Sequence, residues 1–532
     1  VADRTTTDTS TRHEELVSQT RPHPIWYLLV GIALLCVGFG AFCFWYQDHY
    51  HFITSGLRNL GFGGAPWGLH VGFYVIFVGV SFAGITVAAM ARLFKVKELQ
   101  PVTRLAELIT ITALISGSAA ILADLGRPFD GVIKLPRYAR PQSPFYGTFT
   151  MIGAGYLFST LVFFFLAGRA DAARMANQGP KLLRPLYRVW ALGYSDSVQE
   201  RHRHHITSYW LSLTIFPLLI IVQSTEGFIF GLQVGRPGWY SPLQPAAFVT
   251  LAGVSGTGVL IVVSLILRRL FSLRDKLPDS ALRWLGNLMW VLAAIYLYFM
   301  LAEEMTATYA GPRSDRNVAH AIVTGVYAPY FWLTVVALGT CFVVPFYMFI
   351  TKKSSITWLG VAASGGIIGA ITKRLLIIVP SQTHGARIQF SSGSYTPSWV
   401  EFGFVVGLVG LMALLILLFT RFFPIVPDPE LMKSDAYERA KKWPHDRLRI
   451  TVTVAWALVS LSLLGVGLAD SLRMWTGGNE IDPRIPYSPL LFAFGVMMMF
   501  CTAIVYEALP GSKSEDSHPE PSESVAPEET AA

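Results

Sequence analysis

Apolar runs of about twenty residues recur along the whole chain, each long enough to cross ~30 Å of hydrocarbon as a helix. Twelve such spans are predicted, at 25–46, 70–91, 105–123, 147–167, 206–231, 246–267, 284–309, 328–350, 356–379, 398–420, 450–469 and 488–508. Apolar residues run continuously within them and do not alternate with polar ones, which argues for helices and against a barrel of strands. The pattern predicts an all-α polytopic membrane protein of about 12 transmembrane helices, with polar ends at 1–24 and 509–532. No cleavable leader is expected, because the first run is long enough to span. The final segment, 509–532, is rich in Ser, Glu and Pro and reads as a disordered acidic tail.

Composition agrees: the 532 residues are 52% hydrophobic and only 14% charged, where a soluble protein carries nearer a quarter. Lys and Arg in the connections set the orientation. With a cytoplasmic N-terminus the inner connections hold 29 of the 42 Lys and Arg and the outer ones 11, while Lys373 and Arg374 lie inside a span. Both termini are therefore expected on the cytoplasmic side of the plasma (inner) membrane. The net charge of +8 is accounted for by loops that meet anionic lipid headgroups, and nothing in it calls for nucleic acid. The run Arg201-His202-Arg203-His204-His205 is read as a basic flank of the next span in preference to a metal cluster.

One outer connection, 124–146, breaks the charge rule. It opens with Asp124-Leu-Gly-Arg127-Pro at the end of an apolar run and continues with Lys134, Arg137 and Arg140. Other ionisable groups cluster at a similar depth. Glu226 lies about five residues from the outer end of its span, Glu303 and Glu304 roughly 10 Å below theirs at 1.5 Å per residue, and Lys373 and Arg374 at a comparable level. His70 beside Trp67 and Glu401 beside Trp399 begin two further spans on that side. The inner halves look almost free of such groups. Any one residue has a plain structural reading: Arg127 or Lys373 can snorkel, and Glu304 can pair with Arg374. Their convergence suggests a polar pocket between helices. Carboxylates and an imidazole beside aromatic rings suit a flat apolar ring bearing two oxygens, with the carboxylates exchanging protons.

Missing motifs narrow the chemistry. Cys36, Cys43, Cys341 and Cys501 all fall in spans without CxxC spacing, so no iron–sulfur cluster or other metal is expected on this chain. Only His70 of the twelve His touches a span, so no haem is expected. There is no nucleotide fingerprint.

The run Ala65-Pro-Trp-Gly-Leu-His-Val-Gly-Phe-Tyr74, the Asp124–Pro128 segment, Glu226-Gly-Phe-Ile-Phe-Gly231 with Gly-Arg-Pro-Gly-Trp239, the Glu303-Glu304…Tyr309 segment, and Tyr395-Thr-Pro-Ser-Trp-Val-Glu401 followed by a helix ending at Phe423-Pro-Ile425 occur in an order that resembles the polysulfide reductase membrane-subunit (NrfD/PsrC) family. The resemblance covers roughly residues 20–427. It implies two four-helix bundles related as repeats, 70–231 and 246–379, flanked by helices 25–46 and 398–420. It implies quinone, menaquinone or ubiquinone, as a bound substrate of the first bundle near the outer face. Carried over by position, Trp67, His70, Asp124, Arg127 and Glu226 would line that site, with Asp124, His70 and Glu226 exchanging protons. Glu303, Glu304, Lys373 and Arg374 would be proton-transfer candidates of the second bundle. The family also implies an iron–sulfur (ferredoxin-like) subunit docked on the outer face and a further catalytic subunit such as a molybdenum enzyme, a hydrogenase or a multihaem cytochrome. The chain alone is not expected to turn over. The helix pair 450–508 departs from the ten-span pattern. Two rivals stay open: a secondary transporter, which suits twelve spans, and a proton-translocating module, which would need a polar path across the inner halves.

Overall fold

The computed structural model describes residues 23–58, 64–131, 133, 155–195, 197–384, 393–426, 447–475 and 488–509. The expected N-terminal segment, most of the basic loop with Lys134, Arg137 and Arg140, and the acidic tail lie outside the described residues. Twelve helices among those described are long and apolar enough to cross a membrane, and they match the predicted spans in number and order. We label the elements used below α1 (Pro24–Tyr50), α2 (Leu69–Leu93), α3 (Thr103–Asp124), α4 (Phe158–Gln178), α5 (Arg184–Ala191), α6 (Val198–Gly231), α7 (Gln244–Leu270), α8 (Asp279–Met305), α9 (Arg313–Val323), α10 (Ala328–Thr351), α11 (Ile356–His384), α12 (Trp399–Phe422), α13 (Arg447–Trp475) and α14 (Ser488–Ala508).

Contacts close α2, α3, α4 and α6 into one four-helix bundle and α7, α8, α10 and α11 into a second. α2 packs on both α7 and α11 and so joins the two bundles. It is also among the most enclosed helices: 88% of its most apolar stretch is buried, against 17% for α1 and 11% for α13. Those outer helices are apolar all round because their far faces meet lipid. α1 and α12 form a flanking pair, closing where Gly40 and Gly407 face each other so tightly that a Cβ on one would meet the other's backbone. α12 then rests on α2 and α3.

α3 ends where the sequence sets a turn. Gly126 takes φ +70, the left-handed conformation that glycine adopts at little cost. The amide of buried Gln47 on α1 donates to the Ala123 carbonyl at 3.1 Å, which satisfies one of the helix's last acceptors. At the start of α12, Ser398 and Glu401 form a capping box.

The extra pair α13–α14 docks through α14 on α4 and α6. Its anchor is electrostatic: Arg169 of α4 pairs with Glu507 of α14 at 2.9 Å, each side chain 1% exposed. Removing one partner of a buried pair leaves the other charge stranded, at about 3–5 kcal/mol. Glu507→Ala is therefore expected to release α14 from α4. Faster limited proteolysis of the C-terminal pair, and a lower melting temperature in detergent, would record it.

Candidate functional site

We call the membrane side at Asp124 the Asp124 face and the opposite side the Arg92 face. On the Asp124 face the candidate residues divide into three groups.

The first group gathers where α1, α2, α3 and α12 meet. Glu401 is fully buried. One of its oxygens, Oε2, accepts from the backbone N–H groups of Gly56 at 2.7 Å and Ser398 at 2.9 Å, and Oε1 accepts from the Tyr395 hydroxyl at 2.6 Å. That hydroxyl in turn accepts from the Leu69 N–H at 2.8 Å. Burial, and then the adjacent Glu401 carboxylate, push the Tyr395 phenol above its ordinary pKa, so it stays protonated and keeps donating. Both His70 and Asp124 feel the Glu401 charge. His70 is 1% exposed, sets its ring edge-on to Phe404 at 5.2 Å, and has neither ring nitrogen hydrogen-bonded among the described residues. Asp124 Oδ1 is likewise buried without a partner. A buried polar atom left unpaired costs about 1–3 kcal/mol, so two orphaned groups facing one fixed carboxylate mark a place built to meet something polar. A small open cleft is lined by Phe44, Gln47, His51, Phe52 and Gly126 together with Ala123, the neighbour of Asp124 in the chain.

The second group lies across α2. Glu226 is fully buried, with Arg374 Nη1 at 3.8 Å from Oε2 and no hydrogen bond to either oxygen among the described residues. Arg374 reaches over from α11, donates to the Val75 carbonyl at 2.5 Å and lies over the Phe248 ring at 5.2 Å. It can do so because α2 offers Gly79 there; a Cβ at that position would collide with the guanidinium. The third group is Lys373, paired with Glu303 at 3.3 Å, with Glu304 nearby. Between the bundles Trp67 stacks on Trp239 at 5.5 Å, and its backbone N–H and carbonyl are both held by Gln382.

Several expectations change. Arg374 does not belong to a second-bundle set with Glu303 and Glu304; its charge faces Glu226 in the first bundle, and the ion pair expected with Glu304 is replaced by Glu226–Arg374. Arg127 does not line the cleft: its side chain is 84% exposed, and its ion-pair partner among the described residues is Asp130 at 3.9 Å. Glu226 is brought beside Tyr74 and Arg374, while His70 and Asp124 share Glu401, so the single expected pocket resolves into neighbouring groups on opposite sides of α2. Gln47 and Gln382 escaped the sequence reading because nothing in a lone amide near a span end marks it as structural wiring; Tyr395 entered it only as part of the run that carries the family resemblance.

The largest correction lies in the inner halves of the helices, toward the Arg92 face, expected to be almost free of ionisable groups. Arg92 pairs with Glu107 at 3.1 Å and Arg104 with Asp171 at 2.5 Å. His204 faces Glu507 at 3.2 Å beside Arg169. The helices run past the apolar runs that revealed them: α4 continues to Gln178 and α6 begins at Val198, so these ions stand on helices and not in loops.

Residues 60–386, which span both four-helix bundles, match the family described as polysulphide reductase, NrfD. The chain belongs to the NrfD polysulphide reductase family. The match is narrower than the 20–427 of the sequence resemblance and leaves α1, α12 and the α13–α14 pair outside it. Among relatives of this NrfD-family chain, a Halobacterium salinarum protein named as a membrane subunit of dimethyl sulfoxide reductase is 26% identical over 75% of the chain and 91% of its own length. A selenate reductase subunit of Mesobacillus selenatarsenatis is 26% identical over 68% and 86%. An Hdr-like menaquinol oxidoreductase integral membrane subunit of Archaeoglobus fulgidus is 22% identical over 75% and 93%.

Proposed function

We propose that this chain is the quinone-reactive membrane subunit of a multi-subunit reductase or quinol oxidoreductase. The observation that carries the reading is the pair of orphaned buried groups, His70 and Asp124 Oδ1, beside a cleft walled by Phe44 and Phe52. A quinone is a flat apolar ring with two opposed oxygens, and its reduction takes up two electrons and two protons. The aromatic walls suit the ring, His70 or Asp124 suits an oxygen that must gain or lose a proton, and Glu401, saturated by its own donors, fixes the field they feel. Glu226, with both oxygens free of hydrogen bonds among the described residues, is the second proton-exchanging candidate. The relatives' names support the reading, since two are subunits of reductases and the third is an integral membrane subunit of a menaquinol oxidoreductase.

With the Lys and Arg bias as guide, the Asp124 face lies outside, both termini in the cytoplasm, and the membrane is the plasma membrane. Electrons then pass between quinone and an iron–sulfur partner on the Asp124 face, where exposed Arg127 offers a contact, and onward to a catalytic subunit. The redox groups other than quinone belong to those partners.

The test is photolabelling of the assembled complex with an azidoquinone. Label is expected on the peptides carrying residues 44–52 and 123–128, with competition by menaquinol. Label confined to the second bundle would overturn the assignment. Absorption and paramagnetic resonance spectra of the purified chain are expected to lack haem and iron–sulfur signals; either signal would remove the need for a partner to carry electrons.

A further inference from the structure

Polar side chains continue through the interior of the first bundle from Glu226 to the Arg92 face. One turn below Glu226 on α6, Gln223 is fully buried and donates to the Val78 carbonyl at 2.8 Å. The same carbonyl accepts from Ser81 at 2.6 Å. Thr110 of α3 donates to the Ser81 carbonyl at 2.9 Å. The Tyr156 hydroxyl, fully buried at the start of the α4 span, lies against Ser81 and Thr110. One turn further along α3 stands Glu107, 1% exposed, with Oε1 on Arg92 at 3.1 Å and Oε2 without a partner among the described residues. Glu107 also feels Arg104 and His204, and the His204 side chain is 25% exposed.

Depth makes this a crossing. At 1.5 Å per residue, Glu226 lies about 8 Å from the Asp124-face end of α6 and Glu107 about 26 Å from the corresponding end of α3, in a ~30 Å hydrocarbon layer. Ionisable groups are expensive at such sites and are functional candidates by default. Among the described residues, both Glu226 oxygens, Gln223 Oε1 and Glu107 Oε2 have no hydrogen-bond partner. Water bridging them would satisfy each, and a chain of hydroxyls and water passes a proton by reorienting.

We propose that the first four-helix bundle carries a proton path from Glu226 through Gln223, Ser81, Tyr156 and Thr110 to Glu107 and the Arg92 face. It rests on the quinone reading, because the path gives the protons released or taken up at quinone a route to the side opposite the electron-transfer partner. Only O–H bonds change along it: the carboxyls, hydroxyls and bridging water each receive a proton on one side and yield one on the other, while the Gln223 amide keeps its own protons and holds water through Oε1.

The whole complex is reconstituted in vesicles with a pH dye inside, and an external electron dye selects the molecules whose partner faces the bulk. Lumenal protons exchanged per electron are then compared for wild type, Glu107→Gln, Thr110→Val and Tyr156→Phe. The path predicts a lumenal pH change in wild type and a ratio at least tenfold smaller in the variants; should Glu107→Gln not assemble, the two milder variants decide. A wild-type ratio of zero during electron transfer, or an unchanged ratio in the variants, overturns the path and leaves the quinone reading standing. A wild type that moves no electrons to or from quinone overturns that reading instead. The path is then judged by proton flux under a potassium diffusion potential in the same vesicles, upheld if Glu107→Gln lowers the flux tenfold and overturned if it does not.

Discussion

Asp124→Asn is expected to slow quinone-linked electron transfer about a hundredfold or more, while the complex still assembles. Asparagine keeps the shape of the side chain at the end of α3 and leaves the Gln47 bond to the Ala123 carbonyl untouched. What it removes is a group able to take and return a proton beside the cleft, and loss of a positioned acid or base typically costs 10²–10⁴-fold, about 3–5 kcal/mol of barrier. The fall should lie in kcat, since an amide still offers hydrogen bonds to a bound quinone oxygen. His70→Ala should lose a similar factor and raise KM as well, because it opens a void against Phe404. Steady-state rates with a soluble menaquinol, measured on complexes of matched subunit composition, decide the matter. Rates unchanged in both variants would sink the site assignment.

The spans were legible because hydrocarbon imposes length and composition on whatever crosses it; twelve runs in the sequence became twelve helices. The Asp124 turn was legible for the same reason, since charge at the end of such a run is conspicuous. Partners were not. Glu303, Glu304, Lys373 and Arg374 share a depth, and depth alone cannot say that Arg374 turns through the gap at Gly79 toward Glu226 while Lys373 turns to Glu303. That choice depends on which faces α2 and α11 present to each other, a property of packing. The ion pairs toward the Arg92 face were missed for a different physical reason. Hydropathy ends a span where lipid ends, but a helix shielded by neighbours can continue, and Arg104, Asp171 and Arg169 sit in that continuation. What weighs against the transporter rival is membership of the NrfD family.

Glu226 and Arg374 offer the sharpest separation of structure from chemistry. Both are essentially out of solvent, yet at 3.8 Å they attract without saturating one another. Arg374→Met is expected to leave the carboxylate buried with no counter-charge, and Glu226→Gln to strand the guanidinium with only the Val75 carbonyl and the Phe248 ring. Each single change should cost about 3–5 kcal/mol, enough to lower the melting temperature and the yield of assembled complex. The double variant Glu226→Gln with Arg374→Met removes both charges at once, and exchanging a buried pair for neutral side chains of similar volume is often neutral or stabilising. Assembly and melting temperature should return close to wild type. Quinone-linked electron transfer should not, because the carboxylate oxygens left free of hydrogen bonds are the feature that qualifies Glu226 for proton exchange. If the double variant regains full activity along with stability, the pair is a strut joining α6 to α11 and Glu226 leaves the site. Gly79→Val provides an independent check: it keeps both charges but fills the space Arg374 occupies, and should reproduce the instability of the single variants.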